Sequence, residues 1–193
     1  MWNEQIIMML LEGIKDTLYM TLTSTLIGYV IGLPMGILLT VTDKDGIHPN
    51  AAVYKVLDVI ANLIRSVPFL ILLIVLIPFT RFLIGRSYGP TATIVPLVIA
   101  AAPYIARMVE SSLKEVDAGV IEAARSMGAS NFTIVTKVML VEARTSLIVG
   151  ATISLGTILG YSAMAGTVGG GGLGDIAIRY GYTRWQTDIM IVT

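Results

Sequence analysis

The chain has 193 residues, 55% hydrophobic and 13% charged, with a mean hydropathy of +0.81, against about 25% charged residues in an ordinary soluble domain. Thirteen Lys+Arg balance thirteen Asp+Glu, so no net field attracts nucleic acid. The absence of cysteine and the single histidine, His48, exclude disulfides, thiolate nucleophiles and Cys/His metal sites. His48 lies beside Pro49 in a loop, with no second ligand type in reach.

The composition is that of an all-α membrane helix bundle. The start, Met1 to Gln5, lacks a basic leading segment, and Glu4, Glu12 and Asp16 precede the first apolar run; the pattern predicts a retained span, not a cleaved signal. Charge-free stretches mark the crossings, because hydrocarbon accepts about 20 apolar residues per helix. Thr17 to Thr42 carries no charge and predicts the first span. The second is expected from about Val56 to Thr80, interrupted by Asp58 and Arg65, and the third between Arg86 and Arg107. The fourth begins after Arg144 and runs through Gly166. Asp188 to Thr193 reads as the opening turn of a fifth span that is incomplete here, giving about five membrane helices in one domain over 13–193.

Several residues in these spans call for a partner or a role. Pro34, Pro68, Pro78, Pro96 and Pro103 each remove a backbone donor inside or near lipid. Gly28, Gly32 and Gly36 line one helix face and predict close packing. Arg65 sits within its span and must snorkel or pair; Asp58, one heptad earlier on the same face, is a candidate partner. Arg65 then either anchors the span or lines a path. Lys44, Lys55, Arg107, Lys114, Arg125, Lys137 and Arg144 outnumber the cations on the other side, which places the long loop at 107–144 in the cytoplasm and the amino terminus outside.

That loop is too long for a connector. Val120, Ile121, Ala124 and Met127 form a helical stripe, with Glu115, Asp117, Glu122 and Arg125 on the other faces. Gly128 suits a left-handed cap, and Ser130 or Asn131 caps a second short helix carrying Phe132, Val135, Val138 and Met139. The periodicity fits a helix lying on the membrane or one docked in a partner's groove.

Glu122-Ala-Ala-Arg-Ser-Met-Gly128, followed by Val138 and Leu140, resembles the EAA motif of permeases in binding-protein-dependent ABC importers. The pattern is kept except at its final proline, where Val141 stands. The resemblance implies a cytoplasmic coupling helix seated in a separate ATPase, with Glu122, Ala123, Ala124, Arg125, Met127 and Gly128 as the coupling residues. On that reading Glu122 offers a carboxylate to the partner, Ala123 and Ala124 let the helix sink into a groove, and Gly128 holds the turn rigid. It further implies a homodimer of type I importer permeases served by two ATPase subunits and an external binding protein. ATP and magnesium belong to the ATPase, this chain needing no cofactor, and the site is the bacterial inner membrane in multi-pass form.

The segment Gly160 to Asp175 contains Gly169, Gly171 and Gly174 in a G-x-G-x-x-G pattern, but a membrane helix precedes it where a dinucleotide site needs a strand. No Gly-Lys-Ser/Thr follows, so it is not a phosphate loop. It reads as a tight return outside the fourth helix. Tyr161-Ser-Ala-Met164-Ala-Gly, Gly172-Leu-Gly-Asp175, Arg65-Ser-Val-Pro-Phe69, Ile77-Pro-Phe-Thr80, Ala101-Ala-Pro103 and Ile105-Ala-Arg-Met-Val-Glu110 resemble the methionine-importer branch of that family. The resemblance implies methionine, with D-methionine and derivatives, as substrate, and brings Tyr161, Ser162, Met164 and Arg65 forward as gate or pathway residues. Met164 is either an outer gate, with Ala165 and Gly166 letting two helices meet, or a packing methionine.

Two other classes remain to be weighed besides a permease for another amino acid. An ion-coupled carrier needs buried acids and, usually, inverted repeats; the expected spans hold Asp58 as their sole acid and show no repeat. An intramembrane enzyme needs a Ser/His, Cys/His or paired-carboxylate set, which the expected spans lack.

Overall fold

A computed structural model describes residues 4–193; Met1 to Asn3, on which the reading of the chain's start partly rests, lie outside them. The described residues form helices and turns without strands. α1 (Glu4–Thr42) is a single helix through Pro34. Then follow α2 (Ala51–Ser66), α3 (Phe69–Val75), α4 (Ile77–Ile84) and α5 (Pro90–Lys114). The long loop contains α6 (Ala118–Ser126), then α7 (Asn131–Thr133), a π-helical turn over Ile134–Met139, and α8 (Leu140–Glu142). α9 (Arg144–Ala165) closes in a 3-10 turn, Gly166–Val168. α10 (Gly172–Ile176), a second π turn over Ala177–Tyr182, and α11 (Thr187–Val192) complete the chain.

Three helical stretches among the described residues are long and apolar enough to cross a membrane, Glu4–Thr42, Pro90–Lys114 and Arg144–Val168. Leu26, Val30 and Ile148 stand exposed on them, as lipid-facing side chains do. Two expected spans need correction. The second is not one straight helix from Val56 to Thr80: α2 ends at Ser66 and α3 begins at Phe69, with a break between them. Pro68 causes the break, because its ring pushes Val67 out of helical geometry and it brings no N–H to continue the ladder. The third does not end before Arg107: α5 runs to Lys114, which carries Arg107 and Glu110 into the helix. The helical start predicted at Asp188 is present in α11.

The chain divides into two compact units. One comprises Gly28–Ser66 and Ala101–Ser154. In it the glycine stripe of α1 lies directly on α5. A Cβ on Gly32 would stand 2.6 Å from the Ala102 carbonyl oxygen, and one on Gly36 2.6 Å from Val109 Cβ. The stripe therefore packs backbone against backbone, as predicted, around buried Leu39, Ile105, Val109 and Leu113.

The other unit comprises Met1–Ile27, Val67–Ala100 and Leu155–Thr193. Here the glycine-rich segment turns back on α9 as expected. Gly169, Gly171 and Gly172 all take positive φ, at 78°, 83° and 75°, which a side chain would resist. Gly174 comes so close to α9 that its Cβ would lie 2.7 Å from Ala163 Cα. Thr17 of α1 accepts the Leu173 N–H at 2.9 Å, and the Gly89 N–H donates to the Gly169 carbonyl at 2.9 Å, so neighbouring segments satisfy the backbone of the return.

Candidate coupling segment and pathway residues

α6 is short, and its rigidity comes from its ends. Asp117 caps it by accepting the Gly119 N–H at 2.7 Å. At the other end Gly128 takes φ +80°; its N–H donates to the Arg125 carbonyl at 3.0 Å, and that of Ala129 to the Ala124 carbonyl at 3.1 Å. Those two bonds are the pair of a Schellman cap, so the last carbonyls of α6 are satisfied and the chain leaves in a fixed direction. Ser130, of the two candidates named from sequence, caps α7 by accepting the Thr133 N–H at 3.3 Å. Arg125 donates to the Ile47 carbonyl at 2.8 Å, tying α6 to the loop after α1.

The faces of α6 differ from the predicted stripe. Ala124 is buried and Ile121 half-buried, whereas Val120 is exposed and Met127 is 81% exposed. Phe132 is likewise exposed, at 78%. Ala124 therefore packs inside the chain, and the outward face offers Glu122, Ala123 and Met127. Among the described residues the Glu122 carboxylate has no hydrogen bond or ion pair. It borders a cleft of about 490 Å³ lined also by Asp43, Ile47, Lys114, Arg125 and Met139. Asp43, just past α1, meets the Lys114 ammonium at 2.6 Å; that hydrogen bond holds its carboxyl below the usual carboxylate range.

The proposed pathway residues fall in different settings. Arg65 is exposed at the last turn of α2, where its charge suits the helix C-terminus. It does not pair with Asp58. The Asp58 carboxylate is held by Arg107 Nη2, because Arg65 stands seven residues, about 10.5 Å, further along α2 while Arg107 lies inside α5 facing α2. Tyr161 stacks on Phe69 with ring centroids 4.5 Å apart and planes 5° apart. Ser162 is buried, donating to the Leu159 carbonyl at 2.7 Å and accepting from Thr21 at 3.4 Å, so its hydroxyl serves packing against α1. Met164 is 50% exposed. The smallness of Ala165 and Gly166 serves the fold of the chain itself. Ala165 is fully buried, and a Cβ on Gly166 would come 2.8 Å from the Gly174 carbonyl oxygen; both make room for the chain's own return.

One constellation escaped the sequence reading. On α5, Arg107, Glu110 and Lys114 share a face at i, i+3 and i+7. On α2, Tyr54, Asp58 and Asn62 share a face at i, i+4 and i+8. Arg107 binds Asp58 through Nη2 and Glu110 Oε2 at 2.6 Å through Nη1, and also reaches Asn62 Oδ1 at 3.1 Å. Glu110 Oε1 accepts from Lys114 at 2.8 Å and from the Tyr54 hydroxyl at 3.4 Å. Lys114 continues to Asp43. Asp58 is thus not the sole acid of the membrane helices, since Glu110 lies buried in α5. The i+3 and i+7 spacing was the available signal; it was hidden by ending the third span at Arg107.

With the geometry established, comparison with known proteins is informative. Residues 9–190 match the family described as binding-protein-dependent transport system inner membrane component. A probable D-methionine transport system permease protein, MetI, of Vibrio cholerae is 48% identical over 185 residues, covering 96% of this chain and 82% of that protein. The D-methionine transport system permease protein MetI of Escherichia coli is 51% identical over 164 residues, covering 85% of this chain and 76% of its own. Among solved structures, one described as inward facing conformations of the MetNI methionine ABC transporter superposes with a TM-score of 0.95 at 48% identity, over 99% of this chain and 90% of that one. The match over nearly the whole sequence, on a fold that superposes as closely, makes this chain a membrane-embedded member of the binding-protein-dependent transport system inner membrane component family.

Proposed function

We propose that this chain is the permease subunit of an ATP-driven importer that carries methionine, D-methionine and related derivatives into the cytoplasm. Relatives at 48% and 51% identity named for D-methionine transport, and the likeness to a methionine ABC transporter, support the substrate. The observation that carries the mechanism is the capped α6, a short rigid helix whose free face presents an unpaired Glu122. Residues 13–193 form the membrane domain, two copies pair in the bacterial inner membrane, and each α6 docks in one ATPase on the cytoplasmic side. An external binding protein delivers the substrate. ATP and magnesium act on the ATPases; their closure pulls on α6 and the permease opens outward, hydrolysis resetting it by rigid-body movement. Met164, exposed near the outer end of α9, is flexible enough to plug the path between two copies.

An ion-coupled carrier requires an acid free to exchange a proton within the spans. Asp58 and Glu110 are both tied to cations, which favours the importer. The test is Glu122→Lys, which reverses the charge at the docking face, beside Gly128→Pro, which removes the capping N–H. Uptake and co-purification of the ATPase fall in both while the permease remains inserted. Normal uptake by both variants overturns the coupling role of α6.

A further inference from the structure

The charged contact between α2 and α5 is a costly way to join two membrane helices. Charged residues in a span cost about 2.5–3.5 kcal/mol each by insertion scales, and a buried ion pair adds little stability over a well-packed apolar pair. The yield of such a contact is register. Apolar helices in lipid have no hydrophobic force holding them at one axial position, whereas a slip of one turn, about 5.4 Å, separates Arg107 from Asp58 and Asn62, and Glu110 from Tyr54. Arg107 fixes both directions at once, with its fork bridging Asp58 of α2 and Glu110 of its own helix. Glu110, 6% exposed at its side chain, is the node that joins Arg107, Lys114 and Tyr54.

The position of this contact along the chain gives it a further consequence. Lys114 is the last residue of α5 and is separated from α6 only by Glu115, Val116 and Asp117. The same Lys114 binds Asp43, directly after α1. A displacement of α6 is therefore handed to α5 through a capped three-residue joint, and from α5 to α2 and the end of α1 through charges that forbid sliding. The contact of α5 with α1 through Gly32 and Gly36 has no such axial lock beyond steric fit.

We propose that Arg107 and Glu110 are positioning residues for transport, the elements that make α2 follow α5 when α6 moves. This rests on the importer reading above. The test measures methionine uptake and ATP hydrolysis together in proteoliposomes holding the full complex of permease, ATPase and binding protein. Asp58→Leu with Arg107→Met removes the ions but keeps apolar packing, and leaves Glu110 paired with Lys114. The expected result is continued ATP hydrolysis with the methionine carried per ATP lowered about tenfold, the size of a typical coupling energy, and little change in melting temperature. Arg107→Lys, which keeps one charge but lacks the fork, gives an intermediate ratio and carries the same test if the double variant fails to assemble. An unchanged ratio in the variants, or uptake and hydrolysis falling together with melting temperature, overturns the proposal. No ATP-dependent uptake by the unaltered complex overturns the importer reading beneath it.

Discussion

Between α2 and α5, Arg107 bridges to Asp58 and the Tyr54 hydroxyl reaches Glu110; between Ala163 and Gly174, two backbones meet with no side chain in the way. The first contact is built from directional bonds, so it selects an axial position, responds to charge and survives changes that keep the partners. The second is steric. It is indifferent to charge and pH, but a single added methyl group has nowhere to go. The region around α6 thus has contacts suited to moving as a set, while the glycine return is held by close fit and uncharged hydrogen bonds.

The largest effect is expected where the fit is tightest. Gly174→Val forces atoms into the Ala163 backbone, which cannot give as the tip of a flexible side chain would. Overpacking of that kind places the variant beyond about 4 kcal/mol of destabilisation. In detergent it fails to give a cooperative melting transition, and a transition within a few degrees of the parent's would show that the return yields where it is described as rigid.

A smaller loss is expected at the centre of the charged contact. Glu110→Ala leaves Arg107 paired with Asp58 alone and Lys114 with Asp43 alone, a cost of about 2 kcal/mol for lost hydrogen bonds between charged groups. Glu110→Gln keeps an acceptor and loses less. Equal melting temperatures for the two variants would mean that the carboxylate charge contributes nothing to the contact.

Asp43 should show the weakest effect, and one that depends on pH. Its carboxyl titrates below the ordinary value because Lys114 stabilises the charged form. The stabilisation is therefore fully present above the unfolded pKa, near about 4, and is lost as pH falls through the lower folded value. Asp43→Asn accordingly lowers stability slightly near neutrality and flattens its decline in acid. A variant that retains the parent's full acid slope would remove Asp43 from the explanation.

Local chemistry made much of this architecture legible. The charge-free stretches located three crossings, the Gly28–Gly32–Gly36 stripe anticipated a backbone contact, and Gly128 and Ser130 announced the ends of two short helices. What failed to show was pairing across distance. Asp58 and Arg65 share a helix face in sequence, but two turns of helix, about 10.5 Å, separate them, and the true partner lies 49 residues away in α5. Charges that look like a span boundary, Arg107 and Glu110, are tolerated inside the helix because they neutralise one another. The small residues after Met164 are similarly ambiguous: a helix–helix seam and an internal return both require them, and the position of Gly174 reveals the return.

The central claim is that ATP hydrolysed by a partner subunit drives methionine through this chain. The most direct measurement is uptake of labelled methionine into proteoliposomes containing the permease, with and without the ATPase, and with ATP supplied on the side of the ATPase. The account predicts accumulation that requires both the ATPase and hydrolysable ATP and is insensitive to collapsing ion gradients. Accumulation without the ATPase, driven by a proton or sodium gradient, would contradict it.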